Sequence, residues 1–396
     1  TVLLRNDGHA VAFGWNEYSR CNVPRLPLNQ GITYTQVSAG HKHTVLLRSD
    51  GQAVAFGCGA FGRCSIPPLH KGISYTQVSA GGCHTVLLRS DGEAVICGSG
   101  DGSAVVVASV WGQRSIPPLT EGLKYTQVSA GMNHTVLLRS DGKAVACSWS
   151  FLEDGRCKIP PLDQGISYTQ VSAGGRHTVL LRSDGSAVAC GSNDGGQCII
   201  PLLDEELFYT QVSAGRQHTV LLRSDGQAVA FGCQDLGRCS IPPLDEGISY
   251  IQVSAGSSHT VLLRSDGRVV ACGTNQDGQC SIPSLDANHH YVCDLLQRDH
   301  VVQLDFAYKD TAVILTCTRL DGHEIRHFKV QANDQLAKVW GRVAREMGVE
   351  LRTMPQSVKM ILPDGQLFAS ICRAGPFARL PDVVRIRHEK RVAPAV

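Results

Sequence analysis

The chain has 396 residues, enough for a large closed all-β unit plus one small domain, with 37 Lys and Arg against 35 Asp and Glu. That balance leaves no positive excess to hold the whole molecule on nucleic acid or on an anionic membrane. The longest apolar run, Ala104 to Trp111 with Ser109 inside it, falls far short of the roughly 20 residues that span a bilayer.

The first unit, residues 1–28, holds a hairpin, Thr1-Val-Leu-Leu-Arg-Asn-Asp-Gly8, and opens midway through a repeat, so an N-terminal extension is expected ahead of it. The full repeat then starts at Tyr34, Tyr75, Tyr125, Tyr168, Tyr209 and Tyr250, at spacings of 41, 50, 43, 41 and 41 residues. The unit reads Tyr-Thr-Gln-Val-Ser-Ala-Gly (Tyr-Ile-Gln-Val at Tyr250), then His-Thr-Val-Leu-Leu-Arg-Ser-Asp-Gly, then an Ala-Val run (Val-Val in the last), and ends on Ile-Pro-Pro-Leu or a variant. Ser-Asp-Gly between two β-rich runs is a hairpin turn, and consecutive prolines stop any helix. Each unit therefore predicts three strands and a short fourth. Val179, Leu180 and Leu181 are consecutive and apolar, so that strand is covered on both faces, as in stacked blades. The small residues Ser172 to Gly174 belong where strands crowd around a central channel. Tyr291 keeps the period, so residues 291–299 form a degenerate first strand that completes the Thr1 hairpin. Seven blades result, a propeller over residues 1–300.

Seven histidines, His43, His84, His134, His177, His218, His259 and His300, take one position in the repeat. One in every blade reads as a hydrogen-bonding fixture. Ser49 and Asp50 lie about 20 Å along the strand from His43, too far for a triad. Arg48 and Asp50, with their counterparts, predict a solvated or interblade ring of ion pairs. Gly98-Ser-Gly-Asp-Gly102 lacks the following helix of a phosphate loop. The sixteen cysteines include pairs such as Cys58 and Cys64, but none has zinc-knuckle spacing, and they read as small buried hydrophobes of a reducing cytosol or nucleus. No catalytic residue, metal or cofactor is expected.

Positions that vary inside a strict repeat point to recognition. The dipeptides ahead of the histidines differ between blades, with basic Arg176 and Arg216 among them, and other variable turns are 16–19, Ala60-Phe61, Phe151 to Asp154 and 234–236. The third unit carries an insertion between Ser99 and Gln113 that includes Val106, Val107, Val110 and Trp111, an apolar contact site on a rigid ring.

After a linker at 301–311, residues 312–387 change grammar. A hairpin, 312–318 with 324–330 about Asp321-Gly322, precedes a helix carrying Leu336, Val339, Trp340, Val343 and Met347, and further strands at 357–362 and 382–387. This order resembles the ubiquitin β-grasp, a small α+β fold, with Ile361 where ubiquitin has part of its apolar recognition patch. The tail, 388–396, lacks the Gly-Gly end that conjugation requires, which implies a fixed domain.

Gly-x-x-His-Thr-x-x-Leu, Asp-Gly, Cys-Gly-x-Asn and Gly-Gln-Cys, complete over Gly174 to Cys198, resemble the regulator of chromosome condensation repeat. The resemblance covers residues 1 to about 300 and implies an all-β, seven-bladed propeller. It also implies a non-catalytic protein-interaction scaffold, cytoplasmic or nuclear, with a place in the ubiquitin pathway as in relatives fused to HECT ligase domains, although no such catalytic domain is present in this sequence. The founding member's activity, guanine-nucleotide exchange on a small GTPase, is the alternative.

Overall fold

The computed structural model describes residues 1–292 except 27–30, 99–115, 149–153, 205 and 287, together with strands at 302–309, 312–319, 324–331 and 360–361. Two compact units divide it, Thr1–Gln297 and Arg298–Val396.

Among the described residues the first unit holds seven three-stranded antiparallel sheets. Blade 2 shows the pattern, with an inner strand Tyr34–Ala39, a middle strand His43–Arg48 and an outer strand Ala53–Gly57. The inner strands of blades 3 to 7 are Tyr75–Ala80, Tyr125–Ala130, Tyr168–Ala173, Tyr209–Ala214 and Tyr250–Ala255. Blade 1 is assembled from distant segments: Val2–Arg5 pairs with Ala10–Ala12 on one side and with Tyr291–Val292 on the other. Of the strand expected over 291–299, the two residues Tyr291 and Val292 are paired, and 293–299 lie outside the described residues.

Middle strands are buried almost end to end, as their unbroken apolar runs require. Val45, Leu46, Val179 and Leu180 are each 0% exposed, because alternate residues point into opposite neighbouring blades. Val45 and Leu47 thus pack on Tyr75, Val78 and Leu87 of the next blade. The hairpin turn is a tight one closed by Gly51 at φ +78°, with the Gly51 amide on the Arg48 carbonyl and the Arg48 amide on the Gln52 carbonyl.

Two expectations are corrected here. The Ile-Pro-Pro-Leu stretch forms no fourth strand, because its prolines have no amide to give a ladder. It is held instead by the inner-strand tyrosine, whose hydroxyl donates to a proline carbonyl, as Tyr75 does to Pro67 at 2.8 Å. The arginine and aspartate ring is not interblade. Arg48 reaches Asp50 of its own turn at 2.5 Å, while the other Asp50 oxygen accepts from the Gln52 amide, so each carboxylate closes its own hairpin. Blade 5 departs from this, with Arg182 turned toward Asp163.

In the second unit the strand order is 324–331, 312–319, 302–309, 360–361, the last pair parallel. Strand Val302–Lys309 lies inside the stretch expected to be linker. Val302, Leu304, Phe306 and Tyr308 alternate there with polar or small residues, a period-two signal. The expected helix and the strand at 382–387 lie outside the described residues.

Candidate recognition face

The end of each inner strand, the Ala-Gly step, is where blades meet most closely. A Cβ on Gly40 would sit 2.6 Å from the Gly81 carbonyl oxygen and 2.7 Å from the His43 ring, so only glycine fits. From blade 2 round to blade 7 the residue after the glycine donates its amide to the corresponding glycine carbonyl of the next blade: His41 to Gly81, Gly82 to Gly131, Met132 to Gly174, Gly175 to Gly215 and Arg216 to Gly256. Side chains repeat the step deeper in. Gln36 Oε1 accepts from the Val78 amide at 2.6 Å, and Ser38 Oγ from the Ala80 amide at 2.9 Å. These inner strands surround a central channel of about 560 Å³ lined by the Gln, Val and Ser side chains.

The repeated histidines form a further belt. His43 Nε2 bonds Thr85 Oγ1 of the next blade at 2.8 Å, and His84, His134, His177 and His218 do likewise along the ring. His259 reaches Thr1 at 2.9 Å, which closes the belt across blades 7 and 1. Because Thr85 Oγ1 donates to the Arg63 carbonyl at 2.8 Å, it accepts from the imidazole, which fixes the proton on Nε2. That polarity is opposite to a base drawing a proton from a hydroxyl. Burial, aided by neighbouring arginines, lowers His43, His134 and His218 to about 3. Burial lowers His177 and His259 to about 4.

The loops after the outer strands lie beside this belt, and one residue in each sets their shape. Arg63 is 2% exposed, and its Nη1 donates to the Gly82 carbonyl of the next blade at 3.1 Å. Its Nε donates to the Ala60 carbonyl at 2.9 Å. Arg20 and Arg238 do the same to Glu17 and Asp235. In blades 5 and 7 this position is Gln197 or Gln279, whose Oε1 instead accepts from the amide of Gly195 or Asp277, each at 2.9 Å. The same peptide group is therefore turned over: it offers its carbonyl to an arginine, which only donates, and its amide to a glutamine oxygen. Turning it over drives the following residue to positive φ, and Tyr18 (62°), Phe61 (62°) and Leu236 (63°) occupy the left-handed region, at about 1–2 kcal/mol for an L residue. Blade 4 meets Arg156 differently, through the Asp154 carboxylate.

These strained residues are displayed rather than packed. Tyr18 is 48%, Phe61 47% and Leu236 60% exposed, and Trp15 beside them 52%. Cations stack against the rings, Arg20 on Trp15 at 4.5 Å, Arg63 on Phe61 at 5.4 Å and Lys42 on Tyr18 at 5.7 Å. Inside them the channel mouth is lined by His41, Met132, Arg216 and Ser257. His41 is held below its usual range first by burial and then by Lys42, Arg20, Arg216 and Arg63, which places the mouth in a positive field.

Of the residues singled out in the sequence, Phe61, Arg176 and Arg216 are exposed on this face. Phe151, Val106, Val107, Val110 and Trp111 lie outside the described residues, and Ile361 is placed by its backbone alone, paired with Gln303. Sequence reasoning flagged the turns containing Tyr18 and Leu236 and the basic dipeptide His41-Lys42 but missed Trp15 and the arginines beneath; the signal was the Arg or Gln that precedes each loop cysteine.

The geometry defines a closed β-propeller with one elaborated face. In sequence, residues 34–63, 75–102, 168–197, 209–238 and 250–279 match the family model described as the regulator of chromosome condensation (RCC1) repeat. No curated protein matches the chain. Among solved structures, Prp20p from Saccharomyces cerevisiae is similar with a TM-score of 0.55 and 18% identity, covering 72% of this chain and 84% of that one. Prp20p is described together with its binding to Gsp1p and histones. Yeast RCC1 (Prp20) bound to Kap60 gives 0.53 and 18%, covering 66% of this chain and 74% of that one. Human WBSCR16 gives 0.52 and 19%, with 66% and 81% covered. The propeller is thus RCC1-like in repeat and in fold.

Proposed function

We propose that the protein is a non-catalytic scaffold whose propeller holds a protein partner, and that it serves the ubiquitin pathway as an adaptor. The observation that carries the reading is the display of Tyr18, Phe61 and Leu236 in strained, exposed conformations on a ring whose repeated histidine, glutamine and serine side chains hold the blades together. Strain without packing gain is a mark of recognition. A role of the second unit as a ubiquitin-like module is supported by the parallel pairing of 302–303 with 360–361. A parallel pair needs a long crossover, and the helical spacing of Leu336, Val339, Trp340 and Val343 lies in that connection. Work in the cytosol or nucleus is supported by the described cysteines, all free thiols. Among the described residues no helix is long and apolar enough to cross a membrane.

Nucleotide exchange on a small GTPase is the second reading, favoured by the likeness to Prp20p, described with its binding to Gsp1p. The two part in one experiment. The full chain, titrated against small GTPases loaded with a fluorescent guanine nucleotide, is expected to leave release rates unchanged. Acceleration for any one of them would overturn the scaffold in favour of the exchange factor.

A further inference from the structure

We infer that the loop face of blades 6, 7, 1 and 2 binds an acidic protein segment carrying apolar side chains; this rests on the scaffold reading and deepens it. The blades are consecutive around the ring, since His218 bonds Thr260, His259 bonds Thr1, and the Tyr34 amide bonds the Gly8 carbonyl. Along that arc Leu236, Tyr18 and Phe61 form an apolar outer row with Trp15 behind Tyr18. Arg216 and His41 line the channel mouth, Lys42 stands over the Tyr18 ring, and Arg176 is exposed on the adjoining blade 5.

Charge decides the occupant. Among the described residues no carboxylate lies within ion-pair distance of Lys42, Arg176 or Arg216, whereas the deeper Arg20 and Arg156 have Glu17 and Asp154. Lys42 and Arg216 thus meet no carboxylate at that distance, and Arg176 feels only Asp154, which is already paired with Arg156, so positive charge is left for anions of a partner. A continuous polyphosphate is disfavoured, because Asp235, Asp277 and Glu17 stand in the outer loops among the apolar tips and would face its evenly spaced charges. A polypeptide can place carboxylates at the mouth and apolar side chains on the outer row.

The presentation is built in rather than accidental. In the loops of equal length in blades 5 and 7, glutamine keeps the residue aligned with Phe61, Gly195 or Asp277, out of the left-handed region and leaves that conformation to Gly196 and Gly278, whereas the three displaying loops use arginine. Relieving the strain should therefore leave the ring at least as stable while removing the contact.

The test uses the full chain, immobilised, and two degenerate 15-residue peptide pools with alternate positions fixed as Asp or Glu in one and as Lys in the other. The acidic pool is expected to be retained at least tenfold over the lysine pool. Retention should fall tenfold or more in a Lys42→Glu, Arg176→Glu, Arg216→Glu variant and in a Tyr18→Gly, Phe61→Gly, Leu236→Gly variant, the latter melting no lower than the parent. A Leu202→Ser variant, which removes a 99% exposed apolar side chain in the Pro201 segment of blade 5, should bind as the parent does. Equal retention of both pools, indifference to the variants, or stronger binding of a fluorescent single-stranded oligonucleotide would each overturn the inference. A folded partner held equally by parent and variants would refute this surface while leaving the scaffold reading intact.

Discussion

At the residue scale a single donor-or-acceptor choice decides what a loop displays. Arg63 draws the Ala60 carbonyl inward and Gln197 draws the Gly195 amide, so Arg63→Gln is expected to turn the 60–61 peptide over and bring Phe61 to negative φ. A crystal structure of the variant, or the Phe61 three-bond amide coupling, reads this directly; an unchanged positive φ would sink the explanation. The histidine belt has a pH signature. Each belt histidine has a native value depressed below the ordinary 6.5, to about 3 or 4 where resolved. The unfolded chain therefore takes up protons that the native ring refuses. Stability is complete above about pH 6.5 and is lost as pH falls from there toward 4, by about 1.4 kcal/mol per unit for each histidine. Melting curves between pH 7.5 and 5 should fall steeply, and a flat profile would contradict the neutral belt. Histidine as fixture was legible because it recurs at a fixed offset from glycine. The arginine beneath was not, because its role depends on which way one peptide faces.

At the scale of elements, three strands per blade followed from the repeat, since Tyr-x-Gln-Val and His-Thr-Val-Leu-Leu recur in the six units that begin at Tyr34 to Tyr250. The fourth strand failed on physical grounds that the sequence already held, two adjacent prolines in Ile-Pro-Pro-Leu. The strand at 302–309 was missed for the opposite reason: it has no second copy against which its alternation stands out. Ring closure turns on a short element, because Tyr291–Val292 is the described inner strand of blade 1. Tyr291 is 4% exposed, and its hydroxyl donates to the Pro283 carbonyl at 3.0 Å. Tyr291→Ala should cost about 3–5 kcal/mol in denaturant unfolding, and Tyr291→Phe about 1 kcal/mol. A loss under 1 kcal/mol for the alanine variant would mean that blade 1 does not depend on this strand.

At the scale of the whole molecule, the scaffold was legible wherever the repeat was kept and the candidate site only where it was broken. Variable turns marked the face that carries the proposed site, whereas the side chains proposed for it were picked out by backbone strain, which residue identity does not encode. Polar bonds pass from each blade to its immediate neighbour, as His43 to Thr85 and Gln36 to Val78, and the circuit returns on itself through His259 and Thr1. An open stack frays at its outermost repeats, whereas here every blade has two flanks to break before it can leave. The weak point is the seam in blade 1, where strands from opposite ends of the propeller sequence, Val2–Arg5 and Tyr291–Val292, are joined by pairing and by the packing of Val292 on Leu4, with no hairpin between them. The arc carrying Leu236, Tyr18 and Phe61 runs across that seam. A ligand lying along it would act as a clasp, and its binding energy would be felt as resistance of the ring to being unzipped.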